Sequence, residues 1–267
     1  MRIGPRRWLG RLAAVTTLTV AASLLVAAPA HAAMAFHHAL GSFSVPVLGT
    51  ATGVAKCTSG KVTGGGFEVA LTSVRVLDSY PSSDTEWRVT VENKTPNVQQ
   101  VNIRAVCAVG VPGFARVVSD RFINARTILD NAVICPDGSR SMGGGFHLPN
   151  SGFVANESFD LNIGWQAKYR NGSDVGGQVT TYALCTTAPN RTTASFPQTI
   201  SPGRWGRWHA WCATGQVASG GGWDVAGSPD RQIVTASFPD SGWRWAVNNV
   251  SLTKHDLVYR IVCYPNG

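Results

Sequence analysis

The residues of this chain whose types admit chemistry are six cysteines, five histidines beyond residue 32, a scatter of carboxylates and three glycine triplets. A glycine-rich turn cradles phosphate when a Lys and a Ser or Thr follow it and a helix N-terminus faces the anion. Here Gly64-Gly65-Gly66, Gly143-Gly144-Gly145 and Gly220-Gly221-Gly222 are followed by Phe67-Glu68, Phe146-His147 and Trp223-Asp224. Two of those three continuations are acidic, and no helix is predicted that would complete a dinucleotide fold. The triplets therefore read as structural, because glycine inside a strand marks a bulge or the close approach of another backbone.

Other chemistries also lack their spacing. No two cysteines lie two to four residues apart, as a zinc cluster needs. His37, His38, His147, His209 and His255 form no HExxH helix, and no GxSxG elbow is present. Glu157, Asp160 and Asp224 are the carboxylates that a glycosidase pair would draw on. No acidic position recurs with the triplets, however, so no catalytic, metal or cofactor residue is assigned.

The cysteines and glycines belong to a longer pattern. Cys57, Cys135 and Cys212 precede the triplets by seven or eight residues. Trp87, Trp165 and Trp243 follow, 78 residues apart, with Asn93, Asn171 and Asn249 six residues after them and Cys107, Cys185 and Cys263 twenty after them. A register of this kind is an internal repeat. It selects Cys57–Cys107, Cys135–Cys185 and Cys212–Cys263 from the fifteen pairings open to six cysteines. Each bond would close a loop of about 50 residues, worth about 4 kcal/mol in the chain-entropy model.

Within a unit, alternation marks four strands. In the first they are "KVTGGGFEVAL", "SVRVLDSYP", "EWRVTVENK" and "VNIRAVCAV", with turn residues between them. The expected fold is all-β, with three four-stranded antiparallel repeats over 52–110, 111–188 and 189–267 in one threefold, prism-like domain. A β-trefoil and three tandem small sandwiches are the alternatives. In a closed threefold arrangement the glycine strands would meet near the axis. Trp87, Trp165 and Trp243 read as core anchors against a sugar-platform alternative, and the asparagines as holders of a turn after the third strand.

An early cysteine, a Gly-rich strand and a late cysteine, three times over, resemble in layout the vitelline membrane outer layer protein family. That resemblance implies a β-prism of three sheets and little about activity.

Two stretches stand outside the repeat. "RWGRWHAWC" spaces Trp205, Trp208 and Trp211 by three, which suits a polyproline-like ladder with Arg204 and Arg207 placed for cation–π contact. The phrase resembles the tryptophan ladder of thrombospondin type 1 repeats. With Trp223 and Trp245 it makes the third unit the candidate binding face. Residues 33–51, which carry Phe36 and Phe43, read as a flexible, uncharged N-terminal segment able to add itself to a partner's groove or sheet edge, with a simple edge strand or disordered leader as the alternative.

Residues 1–32 read as a secretory signal peptide: Arg2, Arg6, Arg7 and Arg11, an apolar run, then Ala30-His31-Ala32. Removing these four arginines lowers the net charge from +8 to +4, with no Lys/Arg stripe for nucleic acid. No membrane span is expected. The sequence points to a secreted, disulfide-bonded, non-catalytic adaptor for another secreted or cell-surface protein, as in a toxin assembly. Binding of a cell-surface glycan is the second expectation, and a hydrolase or protease inhibitor the third.

Overall fold

The computed structural model describes residues 34–70, 73–225 and 232–267, so the expected leader lies outside the described residues. Eighteen strands follow one another in three sets of six, with no helix among the described residues. The first set is β1 (Ala35–Val45), β2 (Thr50–Lys56), β3 (Lys61–Val69), β4 (Val74–Pro81), β5 (Glu86–Asn93) and β6 (Gln99–Val109). The second is β7 (Ala115–Ile123), β8 (Ile128–Ile134), β9 (Arg140–His147), β10 (Phe153–Asp160), β11 (Gly164–Asn171) and β12 (Gly177–Thr186). The third is β13 (Thr192–Ile200), β14 (Trp205–Ala210), β15 (Gln216–Val225), β16 (Gln232–Pro239), β17 (Trp243–Asn249) and β18 (His255–Pro265).

Each set has six strands rather than the four expected. The two missed strands occupy the stretches read as an N-terminal segment and as linkers. They sit at sheet edges and expose one face, so the first six residues of β7 alternate half-buried and exposed. Residues 34–51 of the expected N-terminal segment are accordingly not free. β1 pairs with β6 along its whole length, from Ala35↔Val109 to Val45↔Gln99.

The strands form three six-stranded antiparallel sheets: β1-β6-β3-β16-β17-β14 (sheet A), β2-β5-β4-β9-β12-β7 (sheet B) and β13-β18-β15-β10-β11-β8 (sheet C). Every sheet joins the first, sixth and third strands of one set to the fourth, fifth and second of another. Tandem sandwiches are thereby ruled out, since no set owns a complete sheet. The junctions are brief: Glu68↔Ala236 and Phe67↔Ser237 in sheet A, Asp78↔His147 and Ser79↔Phe146 in sheet B, Ser158↔Trp223 in sheet C.

The triplets explain how three sets meet there. A Cβ on the first glycine would stand 2.1 Å from Ser219 O at Gly64, 2.1 Å from Thr63 O at Gly143 and 2.5 Å from Met142 O at Gly220. β3, β9 and β15 thus touch backbone to backbone, each against the next. The middle glycines, Gly65, Gly144 and Gly221, lie under the rings of Trp87, Trp165 and Trp243, at 2.3–2.4 Å from where a Cβ would stand. The third glycines, Gly66, Gly145 and Gly222, meet the carbonyls of Ser237, Ser79 and Ser158 on the strand contributed by another set.

The three tryptophans are buried, and each indole Nε1–H donates to a serine hydroxyl: Trp87 to Ser79 (3.1 Å), Trp165 to Ser158 (2.9 Å) and Trp243 to Ser237 (3.1 Å). These serines belong to the phrases "DSYP", "ESFD" and "ASFP", a recurrence legible in the sequence but outranked by the louder glycines. The three disulfides pair as expected, with Cα separations of 5.7, 5.7 and 5.8 Å.

Gly145→Ala is expected to cost about 3 kcal/mol or more in urea unfolding with the disulfides intact, because backbone cannot yield to the added methyl. Gly138→Ala, in a turn at φ +77° with open space around it, should cost only about 1–2 kcal/mol.

Candidate binding face

β14 is a strand, not a polyproline ladder, and strand geometry divides its tryptophans. Trp205, Arg207 and His209 point to one face, and Trp211 just beyond the strand shares their parity. Trp205 and Trp211 are 55% and 60% exposed. Arg207 lies over the Trp205 ring at 5.0 Å, and the His209 and Trp211 rings are 4.1 Å apart. Arg204, one residue before the strand, is exposed.

Trp208 faces inward instead. It packs on Tyr259 at 5.2 Å, and Tyr259 stacks on buried Trp245 at 4.8 Å. The reason appears when the three sets are compared where first and second strands lie side by side. The first set uses glycines: a Cβ on Gly41 would stand 2.4 Å from Val54 O, and Gly53 is covered by the Phe43 ring. The second uses a polar pair, with the Ser119 hydroxyl donating to Asn131 Oδ1 at 2.9 Å and the Asn131 amide to Ser119 O at 2.8 Å. The third fills the seam with Phe196, Trp208, Trp245 and Tyr259. Of the five tryptophans the third unit has beyond Trp243, Trp208 and Trp245 are a wedge, while Trp205 and Trp211 are surface.

Trp223 is also buried. Its ring stands edge-on to Phe67 (6.5 Å) and Phe146 (5.9 Å), the residues that follow the other two triplets. Together with Val76, Ala155 and Val234 they line an apolar cavity of about 60 Å³. The Trp223 Nε1–H has no hydrogen-bond partner. Phe36 lies beside a wider cleft of about 310 Å³ shared with His37, His38, Asp240 and Ser241.

The outward face of sheet A continues from β14 across its neighbours. His209 pairs with Arg244, whose Nε lies 2.6 Å from Asp240 Oδ2. Arg104 Nη1 lies 3.4 Å from the other oxygen of Asp240, and its guanidinium covers the Phe238 ring at 4.6 Å. Partial burial, with help from the Arg244 charge, holds His209 below the usual imidazole range. The result is a strip of tryptophan, arginine and histidine around one carboxylate. β1 and β14, the two stretches that stood outside the sequence repeat, are the two edges of this one sheet.

The Arg104–Phe238 contact has counterparts beside the other third glycines. Tyr80 and Tyr182 stack at 4.5 Å, and Arg260 lies over Phe159 at 4.2 Å. These contacts bridge two sets across each junction.

The carboxylates that a glycosidase pair would draw on are held by partners. Asp160 is held by Arg191 and the Ser141 hydroxyl, so it does not join Glu157 and Asp224. Burial, reinforced by the charge of Asp224, raises the pKa of Glu157, while its hydrogen bond with Lys168 acts the other way. Asp224 pairs with Arg260 at 3.5 Å. His147 Nδ1 lies 2.5 Å from Asp78 Oδ1. Thr180, across the strand from His147, donates to Asp120 at 2.6 Å rather than to the imidazole. Among the described residues no group of three or more His, Cys, Asp or Glu converges as a metal site.

Asn93, Asn171 and Asn249 open N-x-S/T sequences, which in exported proteins accept glycans. All three are buried, and they spend their amides on turn carbonyls: Asn93 on Pro46 O and Asn97 O, Asn171 on Asn124 O and Val175 O, Asn249 on Ser201 O and Thr253 O. The Thr95, Ser173 and Ser251 hydroxyls donate back to the Asn Oδ1. Each asparagine therefore locks the turn between fifth and sixth strands onto the turn between first and second.

No protein-family model matches the chain, and no curated protein matches it.

The hydrogen bond to Asp78 raises the pKa of His147 above 6.5, against burial. A histidine raised in the folded state contributes stability that is complete below its unfolded pKa and lost as pH rises through the folded value. An NMR titration should place His147 above 6.5, and Asp78→Asn should lower it and remove that pH dependence of the unfolding midpoint.

Proposed function

We propose that this chain is a secreted, non-catalytic binding protein that takes a protein partner on the outward face of sheet A. The observation that carries the reading is the pairing of exposed Trp205 and Trp211 with Arg207, Arg244 and His209 along an edge strand. Tryptophan and arginine are the residue types that dominate binding hot spots. β14 is bonded to a neighbour on one side only, so an extended segment of a partner can add to its edge while its side chains meet the tryptophans. The adaptor expectation is kept, with the face of sheet A in place of a protruding N-terminus.

Export is supported by three disulfides and no free cysteine, a state kept in oxidising compartments. The non-catalytic reading is supported by the partners already held by Glu157, Asp160, Asp224 and Asp78. The cyclic exchange of half-sheets supports a pseudo-threefold, prism-like arrangement and the layout resemblance to the vitelline membrane outer layer family.

A second reading, carbohydrate binding, is favoured by the same two exposed rings. They are six residues apart along the chain, about 20 Å in extended geometry, so they would serve an extended saccharide rather than one sugar.

Co-purification from culture medium should yield a stoichiometric protein partner, lost or weakened at least about tenfold by Trp211→Ala with Arg207→Ala. Trp208→Ala is expected instead to destabilise the fold, by about 3–5 kcal/mol, because it empties the wedge. Strong glycan-array signals abolished by Trp211→Ala, with no protein partner, would replace the leading reading by the second.

A further inference from the structure

In each set the turns between first and second and between fifth and sixth strands lie at one end of the sheets, as does the turn 148–152 of the second set, because first and third strands run antiparallel to the sixth. The asparagine locks fasten two of these turns together. The Arg75 guanidinium and Lys94 Nζ donate to Ser151 O (3.2 Å) and Ser151 Oγ (3.1 Å), fastening a turn of the second set to the first.

This end carries large apolar side chains in the open, two from each set: Leu48 and Val98, Phe122 and Val175, Trp205 and Leu252. They are 55–86% exposed. The described turn segments 46–49, 94–98, 124–127, 148–152, 172–176, 201–204 and 250–254 hold four cations, Lys94, Arg126, Arg204 and Lys254, against one acid, Asp174; Arg126 pairs with Asp174 and Lys94 with Glu92 of β5, which leaves Arg204 and Lys254 as the cations outside these pairs. The segments at the opposite end hold Asp84, Asp137 and Asp240 against Arg191 alone, and the large exposed apolar residues there are Ile163, Trp211 and the strand-end residues Val109 and Ile134. The apolar cavity under Phe67, Phe146 and Trp223 also lies at the cationic end, between the first residues of β4, β10 and β16.

We infer that this end docks on an anionic lipid surface. Leu48, Val98, Val175 and Leu252 sit on turns, and Phe122 and Trp205 near the ends of edge strands β7 and β14, so each can enter the headgroup boundary without a matching protein surface. Lysine and arginine at the same level face anionic headgroups, and Trp205 and Phe122 are the aromatic types that settle at such a boundary. The acidic end then points away from the lipid. The docking is peripheral: no helix among the described residues is long and apolar enough to cross a membrane.

The test is flotation of the oxidised protein with vesicles of phosphatidylcholine, with and without phosphatidylglycerol, at low and high salt. Binding should appear with phosphatidylglycerol at low salt and weaken at least about tenfold in its absence or at high salt. The triple variant Leu48→Asp, Phe122→Asp, Leu252→Asp should lose it by at least about tenfold, while Leu40→Asp, equally exposed but on the flat of sheet A, should not. The tryptophan emission should shift to the blue on binding, and Trp205→Phe should remove that shift while keeping flotation. No flotation with anionic vesicles at low salt would overturn the inference, as would equal loss in Leu40→Asp. A dimer that light scattering shows dissociating in the triple variant would assign this end to a second copy instead. Trp211→Ala, at the far end, should float as wild type, so failure here is separable from failure of the sheet A reading.

Discussion

Everything in this fold depends on nine positions that have no Cβ. Three strands from three different sets can touch backbone to backbone only where side chains are missing, and the first glycine of each triplet supplies that gap. The middle glycine gives a flat seat to a buried indole, which is held at its other side by a serine hydroxyl. The third lets a strand from another set lie close enough to join the sheet. Each junction is only one or two residue pairs long, so stacking of Arg104 on Phe238, Tyr80 on Tyr182 and Arg260 on Phe159 adds contact where hydrogen bonds are few.

The sequence shows the parts of this arrangement that must be the same three times. Glycines, tryptophans, asparagines and cysteines recur because each solves a problem of fixed geometry, and their register is enough to read the disulfides and the meeting of the glycine strands. The outer strands hide for the opposite reason. They meet no shared constraint at the seams between sheets, so glycines, a Ser–Asn pair and an aromatic wedge all serve. With nothing conserved between sets, β1, β7 and β13 look like leader and linkers. The same freedom misleads at "RWGRWHAWC": a spacing of three in tryptophan is accidental, and the period that matters is two, through Trp205, Arg207, His209 and Trp211. The charge contrast between the two ends is invisible in sequence, because its members are spread over fifteen fully described connecting segments and gather only through the topology.

Function on a repeated scaffold falls where the repeats differ. The glycine junctions, indole seats and asparagine locks are occupied by structural work in every set. What varies is the seam filling and the outward side chains, and sheet A gathers most of that variation: an edge strand rich in tryptophan, a carboxylate between two arginines, and β1 at the other margin. The buried asparagines make the same point from the opposite side. Their N-x-S/T sequences look available for modification, yet the geometry that makes them recur also closes them.

The exchange of half-sheets has a consequence for how the chain must be made. Sheet A begins with β1 of the first set and is finished only by β17 of the third. Until then β3 presents an unpaired edge with three bare glycines, a poor template for a stray strand because it offers almost no side chain to grip. Each disulfide, by contrast, joins residues 50 or 51 apart within one set and can form before its neighbours exist. The topology thereby separates two kinds of closure: the covalent closure of each set is local to it, and the closure of each sheet needs strands from two sets.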